Sequence, residues 1–240
     1  MKLNNNHYYI IISLLILIIW LLCCSGYEKN NFKVMRQVNN RAETVIDIDG
    51  NVYHTVKIGT QIWTVENLKV THYKDGSNIP EVKNDEERWS DLTTGALCWY
   101  DDNPNMYKNK YGALYNYYSI KNEKGLCPEG WHVPTTDEWK IMIDYLGGVD
   151  KAGSYMKLTT EGTWQNVEGM SNKSGFSAVP AGGRGRIGAS SEGGNYATWW
   201  SSTSYDSLYA WHWGLHPDNG KIRFNPGHKN SGFSIRLVKD

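Results

Sequence analysis

The chain has 240 residues, with 25 Lys and Arg against 25 Asp and Glu, so it is formally neutral at pH 7. Without net charge it has no bulk electrostatic hold on nucleic acid, which disfavours a DNA- or RNA-coating role, and a 40% hydrophobic, 21% charged composition excludes disorder over most of its length. The departures from average are 11 Trp, 16 Tyr and 24 Gly against 4 Phe, a mixture of amphipathic rings and turn formers that suits a loop-rich, partly β recognition domain.

Lys2 precedes an apolar run from Tyr8 to Cys24 that stops abruptly at Ser25-Gly26-Tyr27-Glu28, the basic and apolar regions of a secretory signal. Its end, Leu21-Leu22-Cys23-Cys24, resembles a bacterial lipobox, with Leu three residues before the acylated Cys and a small residue just before it. Residues 1–23 are therefore expected to be a lipoprotein signal peptide and Cys24 the lipidation site. The acyl chains would then hold the mature N-terminus at a membrane, at ~0.8 kcal/mol per buried CH₂. The alternative is an uncleaved anchor, since about 17 apolar residues is the lower edge of a spanning helix. Either way the rest of the chain is expected outside the cytoplasm, at an outer membrane or cell surface. If Cys24 is acylated, Cys98 and Cys127 remain, and an exported compartment permits them one disulfide.

Residues 24–43 are polar without a sustained period and read as a tether. The folded domain, residues 44–240, opens with apolar and β-branched residues on both sides of Asp49-Gly50, a strong hairpin signal, and Gln61 to Leu68 extends that sheet. Asp75-Gly76 and Pro80 close a polar loop, and Asn84 to Arg88 reads as a solvated charge run. A helix is expected over Lys110 to Lys121, with Leu114, Tyr117 and Tyr118 on one face. Thr135-Thr136-Asp137-Glu138 is a capping box that starts a second helix, whose Trp139, Met142, Ile143 and Leu146 form a core stripe before Gly147-Gly148 ends it.

From Gly153 the chain is rich in Gly, Ser and Trp, with short apolar runs at 175–180, 199–202, 209–213 and 232–238 that read as strands, and a long loop from Gly182 to Ala197. Strands, two helices, then strands predict an α+β domain with a mostly antiparallel sheet.

Several segments together carry a resemblance: Ile58-Gly59-Thr60-Gln61-Ile62-Trp63 with Glu66-Asn67-Leu68, Cys98-Trp99-Tyr100, Tyr111-Gly112-Ala113-Leu114-Tyr115-Asn116, Cys127-Pro128-Glu129-Gly130-Trp131-His132-Val133-Pro134, Trp199-Trp200-Ser201-Ser202 and Gly232-Phe233-Ser234-Ile235-Arg236. In order, from about residue 44 to 240, these resemble the Fibrobacter succinogenes major paralogous domain family, exported and often lipid-anchored proteins of Fibrobacter and Bacteroidetes. That family is more distantly similar to the C-type-lectin-like fold of formylglycine-generating and sulfatase-modifying proteins, which implies the fold and no mechanism. Many relatives have a Cys near the end, where Leu237 stands here.

No catalytic constellation is legible. The formylglycine-generating enzymes bind copper through a late cysteine pair, and no cysteine follows Cys127; a degenerate enzyme of that type is the minor alternative. No C-x-x-C or H-E-x-x-H occurs outside the leader, so no metal site or cofactor is expected. A weak structural Ca²⁺ is the most that Asp101-Asp102-Asn103-Pro104-Asn105 or His216-Pro217-Asp218-Asn219-Gly220 would support, with Asx-turn chemistry the plainer reading of both.

Aromatic recognition is the remaining signal, because sugar rings expose apolar C–H faces with a hydroxyl rim. Arg184, Arg186, Tyr196, Tyr205, Trp211, Trp213, Asp218 and Asn219 are the candidate ligand-binding residues. In a strand Trp211 and Trp213 share one face, whereas Trp199 and Trp200 point opposite ways, so that at least one of the latter is core. The expected partner is a polysaccharide or glycoconjugate, met by a non-catalytic binding module; the alternative is a structural or protein-interaction module that meets envelope proteins.

Overall fold

The computed structural model describes residues 43–83, 85–160, 162–165, 168–188, 190–191 and 195–240. The expected signal peptide, the expected lipidation site Cys24 and the expected tether to residue 42 lie outside the described residues. The described part belongs to one compact unit, Glu43–Asp240, and no helix in it is long and apolar enough to cross a membrane.

Strands β1 (Thr44–Ile46) and β2 (Val52–Ile58) pair antiparallel around Asp49-Gly50, with Gly50 at φ +78°, a backbone state that favours glycine at this turn. Asp47 reinforces the turn: its carboxylate accepts from the backbone N–H groups of Asp49 and Asn51 and from the Tyr53 hydroxyl at 2.6 Å. Strand β3 (Gln61–Thr64) continues the sheet, and the C-terminal β12 (Val238–Lys239) inserts between β3 and β6 (Trp131–His132) to give the order β1-β2-β3-β12-β6. A second sheet has the order β11-β10-β9, from β9 (Ala197–Ser204), β10 (Tyr209–Leu215) and β11 (Ile222–His228). Two small hairpins complete the set, β4 (Leu97–Cys98) with β5 (Leu114–Tyr115) and β7 (Gly183–Arg184) with β8 (Ser190–Ser191). The class is α+β, and every strand pairing inside a sheet is antiparallel.

Helix α1 (Glu86–Ser90) starts on the Asp85 carboxylate and buries Trp89, so the charge run is the outer face of a short helix. The helix expected over Lys110 to Lys121 is broken in two: α2 (Pro104–Tyr111) ends at Gly112, and α3 (Tyr117–Ile120) restarts on the Asn116 side chain. Gly112 sits at φ +74°, where a Cβ would lie 2.8 Å from the carbonyl of Leu68. The break is therefore imposed by packing against residues 67–68, which local periodicity does not register. Helix α4 (Thr136–Tyr145) has both arms of its capping box, and Trp139, Met142, Ile143 and Leu146 are all buried. A short α5 (Ala152–Met156) follows. Residues 175–180 form an isolated bridge at Ala178 instead of a strand, and the loop expected from Gly182 to Ala197 holds the β7–β8 hairpin.

At Trp199 and Trp200 the β9–β10–β11 sheet is covered on both faces. Adjacent Trp199 and Trp200 enter different clusters: Trp200 joins Tyr53, Tyr115 and Ile235, while Trp199 joins Trp63, Trp139, Phe176 and Trp213. Both indoles are thus core. Each such ring removes about 150–250 Å² from water, at about 25 cal/mol per Å².

Arg236 ties the clusters together. Fully buried, its guanidinium donates to Asn67 Oδ1 at 2.6 Å, to the carbonyls of Thr64 (2.8 Å), Phe176 (3.0 Å) and Val65, and lies over the Phe176 ring. Asn67 also accepts from Trp199 Nε1 at 2.9 Å and donates to the Tyr111 carbonyl at 2.8 Å. Five separate segments meet at this hub, which satisfies buried polar groups that would otherwise cost about 1–3 kcal/mol each.

Candidate ligand-binding face

Alternation along β10 puts Trp211 and Trp213 on one face and His212 on the other. The two tryptophans nevertheless differ in depth. Trp213 is 3% exposed and stacks on Trp139 at 6.0 Å, so its assignment as a ligand platform is corrected to core. Trp211, nearer the strand's start, is half-buried. Phe224 of β11 lies opposite Trp213 in the register and stacks with both indoles, at 4.4 Å to Trp213 and 4.1 Å to Trp211. Tyr205 meets Trp211 edge-on at 4.9 Å and is 55% exposed. An aromatic shelf thus climbs from the core at Trp213 through Phe224 and Trp211 to Tyr205 at the surface.

The turn between β9 and β10 is braced. Asp206 Oδ1 accepts from the backbone N–H groups of Leu208 (2.8 Å) and Tyr209 (2.7 Å), and Lys229 Nζ donates to the carbonyls of Asp206 (2.7 Å) and Ser207 (3.1 Å). The exposed Leu208 and Tyr209 are therefore presented on a fixed loop. Phe224 carries no signal in a reading by strand propensity, because Pro226 and Gly227 interrupt its segment. Proline is tolerated there because β11 is an edge strand.

Tyr196, Asp218 and Asn219 lie at the other end of β10. The Tyr196 hydroxyl and His216 Nε2 are 2.8 Å apart, His216 Nδ1 pairs with Asp218 at 3.2 Å, and Asn219 Oδ1 accepts from Lys221 N at 3.0 Å. Beneath this turn the buried Lys157 donates to the Pro217 carbonyl at 2.9 Å and sits over the Trp164 ring; burial pulls its pKa down to about 8. A cation already braces the loop, which disfavours Ca²⁺ there. Five residue steps at about 3.3 Å each put Trp211 and His216 about 16 Å apart, so the candidate residues form two groups, not one cleft.

Arg184 belongs to neither group. It is 1% exposed, lies over Trp89, and donates to Asp102 Oδ1 at 3.2 Å and to the Val82 carbonyl at 3.1 Å. Its ligand-binding assignment is corrected to a scaffold role. The same contact puts a guanidinium on one acid of the Asp101–Asn105 loop, while Asn103 caps α2. Arg186, two residues on, is exposed. Among the described residues no group of three or more His, Cys, Asp or Glu is placed to hold a metal ion.

Cys98 and Cys127 are both free thiols, which corrects the expected disulfide. Cys98 packs in a small cluster with Val82, Trp89 and Leu114, whereas Cys127 packs against the cluster that contains Leu237. Burial pushes each thiol up to about 12, so neither is an activated nucleophile. His132 is clamped between Asp240 Oδ1 (2.5 Å) and Glu138 Oε1 (2.8 Å). Partial burial opposes its protonation, but the hydrogen bonds to Asp240 and Glu138 prevail and raise its pKa.

The profile of the family described as Fibrobacter succinogenes major domain matches residues 56–239, from within β2 through β12. No curated protein and no solved structure matches the chain. The matched segment contains the β9–β10–β11 sheet, the Arg236 hub and the aromatic shelf, and leaves β1 outside it. With more than half of its length covered by this profile, the chain belongs to the Fibrobacter succinogenes major domain family.

Proposed function

We propose that the protein is an exported, lipid-anchored, non-catalytic binding module whose lectin-like domain recognises polysaccharide or glycoconjugate. The observation that carries this reading is the shelf of Tyr205, Trp211 and Phe224, presented beside a braced turn. Stacked rings that shade from core to solvent offer flat faces for sugar C–H groups without a conformational cost on binding. The Tyr196–His216–Asp218 group, about 16 Å from Trp211 along the strand, supplies hydroxyl, imidazole and carboxylate partners within reach of an extended chain of sugars. The leader residues that resemble a lipobox support export and anchoring through Cys24.

The full chain, purified in detergent, is tested against plant, mucin and bacterial polysaccharides with and without Ca²⁺. Saturable binding that Trp211→Ala abolishes at unchanged fold supports the reading; failure to bind any glycan in either condition overturns it. The second reading, a protein-interaction module of the cell envelope, is favoured by the exposed Leu208 and Tyr209 beside the shelf, an apolar patch that suits a protein partner. Loss of partner capture in Leu208→Asp, with glycan binding absent, would select it.

A further inference from the structure

Remote from the aromatic shelf, a cavity of about 320 Å³ opens between the segment after β3, the end of α2 and residues 177–179. Its walls include the apolar Val65, Leu158 and Val179, and Lys69, Lys108 and Lys110 line it as well. Arg236 also lines it, a fully buried guanidinium whose hydrogen bonds go to Asn67 and to backbone carbonyls, with Glu66 the carboxylate that acts on its charge. Its Nη2 makes one long bond, 3.3 Å to the Ser177 carbonyl.

The charge balance is one-sided. Among the described residues none of the three lysines forms an ion pair: Lys69 donates to Asn109 Oδ1 at 3.1 Å, while Lys108 and Lys110 lie over the rings of Trp99 and Tyr111. The single acid of the lining, Glu66, is turned to His54, which occupies both of its oxygens at 2.7 and 2.8 Å. Lys108 and Lys110 complement the C-terminal dipole of α2, but that accounts for neither Lys69 nor a buried cation at the same cavity. Ser177, held at φ +54° by Asn172, which accepts from its N–H at 2.9 Å, marks a strained position in the wall.

We infer that this cavity is a second ligand site, for a carboxylated sugar-sized molecule of the uronic acid class, with Lys69, Lys108 and Lys110 meeting the carboxylate and Val65, Leu158 and Val179 covering the ring. The volume lies at the lower end of small-molecule pockets, about 300–1,000 Å³, and apolar walls under a cationic rim match a ring that carries one charge.

The test uses the full chain in detergent and D-glucuronic acid as probe, with D-glucose as its neutral counterpart and inorganic phosphate as competitor, read by calorimetry. Saturable glucuronate binding, at least 10-fold weaker for glucose, is expected. It should fall at least 10-fold in Lys69→Gln/Lys110→Gln at unchanged melting temperature, recover in Lys69→Arg/Lys110→Arg, and survive Trp211→Ala, which separates this site from the shelf. Absence of saturation, equal binding of glucose, or an unaffected glutamine variant would overturn the proposal. Phosphate that displaces glucuronate with equal affinity would overturn its sugar component.

Discussion

The Trp211 indole lies on the Phe224 ring at a centroid distance of 4.1 Å, with the planes 15° from parallel. Phe224 in turn stacks on Trp213 at 4.4 Å, so one phenyl ring joins a half-buried tryptophan to a core tryptophan. The shelf is stiff because its inner end is the protein core.

The two tryptophans should separate under substitution. Trp213→Ala empties a site packed on Trp139 and should cost about 3–5 kcal/mol. Trp211→Ala removes a partly solvated stack and should cost about 1 kcal/mol, or about 2–4 °C in a domain of this size. Thermal denaturation of the two variants measures the difference; equal losses would put both rings in the core.

Acid should destabilise the fold through His212. Burial lowers its pKa to about 4, and its Nδ1 has no hydrogen-bond partner among the described residues. Between about pH 6.5 and 4 the unfolded chain binds a proton that the folded chain refuses, so stability falls as pH drops through that window, by roughly 3 kcal/mol at most. Denaturant titrations at pH 7 and pH 4.5 check this, since His212→Phe should flatten the dependence.

His132 acts with the opposite sign. Its raised pKa means that the contribution of the Asp240 and Glu138 clamp is fully present below the unfolded value near 6.5 and is lost as pH rises through the folded value. His132→Gln should therefore lie furthest below the wild type in slightly acidic buffer and approach it above neutrality. A constant gap in melting temperature across that range would contradict this.

Free thiols make a chemical prediction. Unfolded in denaturant without reductant, Cys98 and Cys127 should each take up one maleimide, and reductant should leave the melting temperature unchanged. In the native state labelling should be slow, because burial holds both as protonated thiols. Mass spectrometry of the labelled chain reads both results.

What was legible in the sequence was local. The capping box of α4, its apolar stripe and the Asp49-Gly50 turn rest on contacts within a few residues and appear where the pattern puts them. The break at Gly112 was not legible, because it comes from the close approach of residues 67–68, some 44 positions upstream. Period-two alternation put Trp211 and Trp213 on one face but carries no information on depth, which Trp139 and Phe224 decide. Nothing local marks Arg184 as buried rather than ligand-binding, because its partner Asp102 is 82 residues away in sequence. Strand β11, and Phe224 with it, was hidden by Pro226, whose missing N–H an edge strand tolerates.

The most direct measurement is affinity electrophoresis of the wild-type chain and Trp211→Ala in gels cast with each polysaccharide of the panel, paired with the melting temperature of each protein. Retardation of the wild type by at least one glycan, lost in Trp211→Ala while its melting temperature falls by less than about 4 °C, is the expected result. Equal migration of the two proteins in every gel would contradict recognition of glycan by the Tyr205–Trp211–Phe224 shelf.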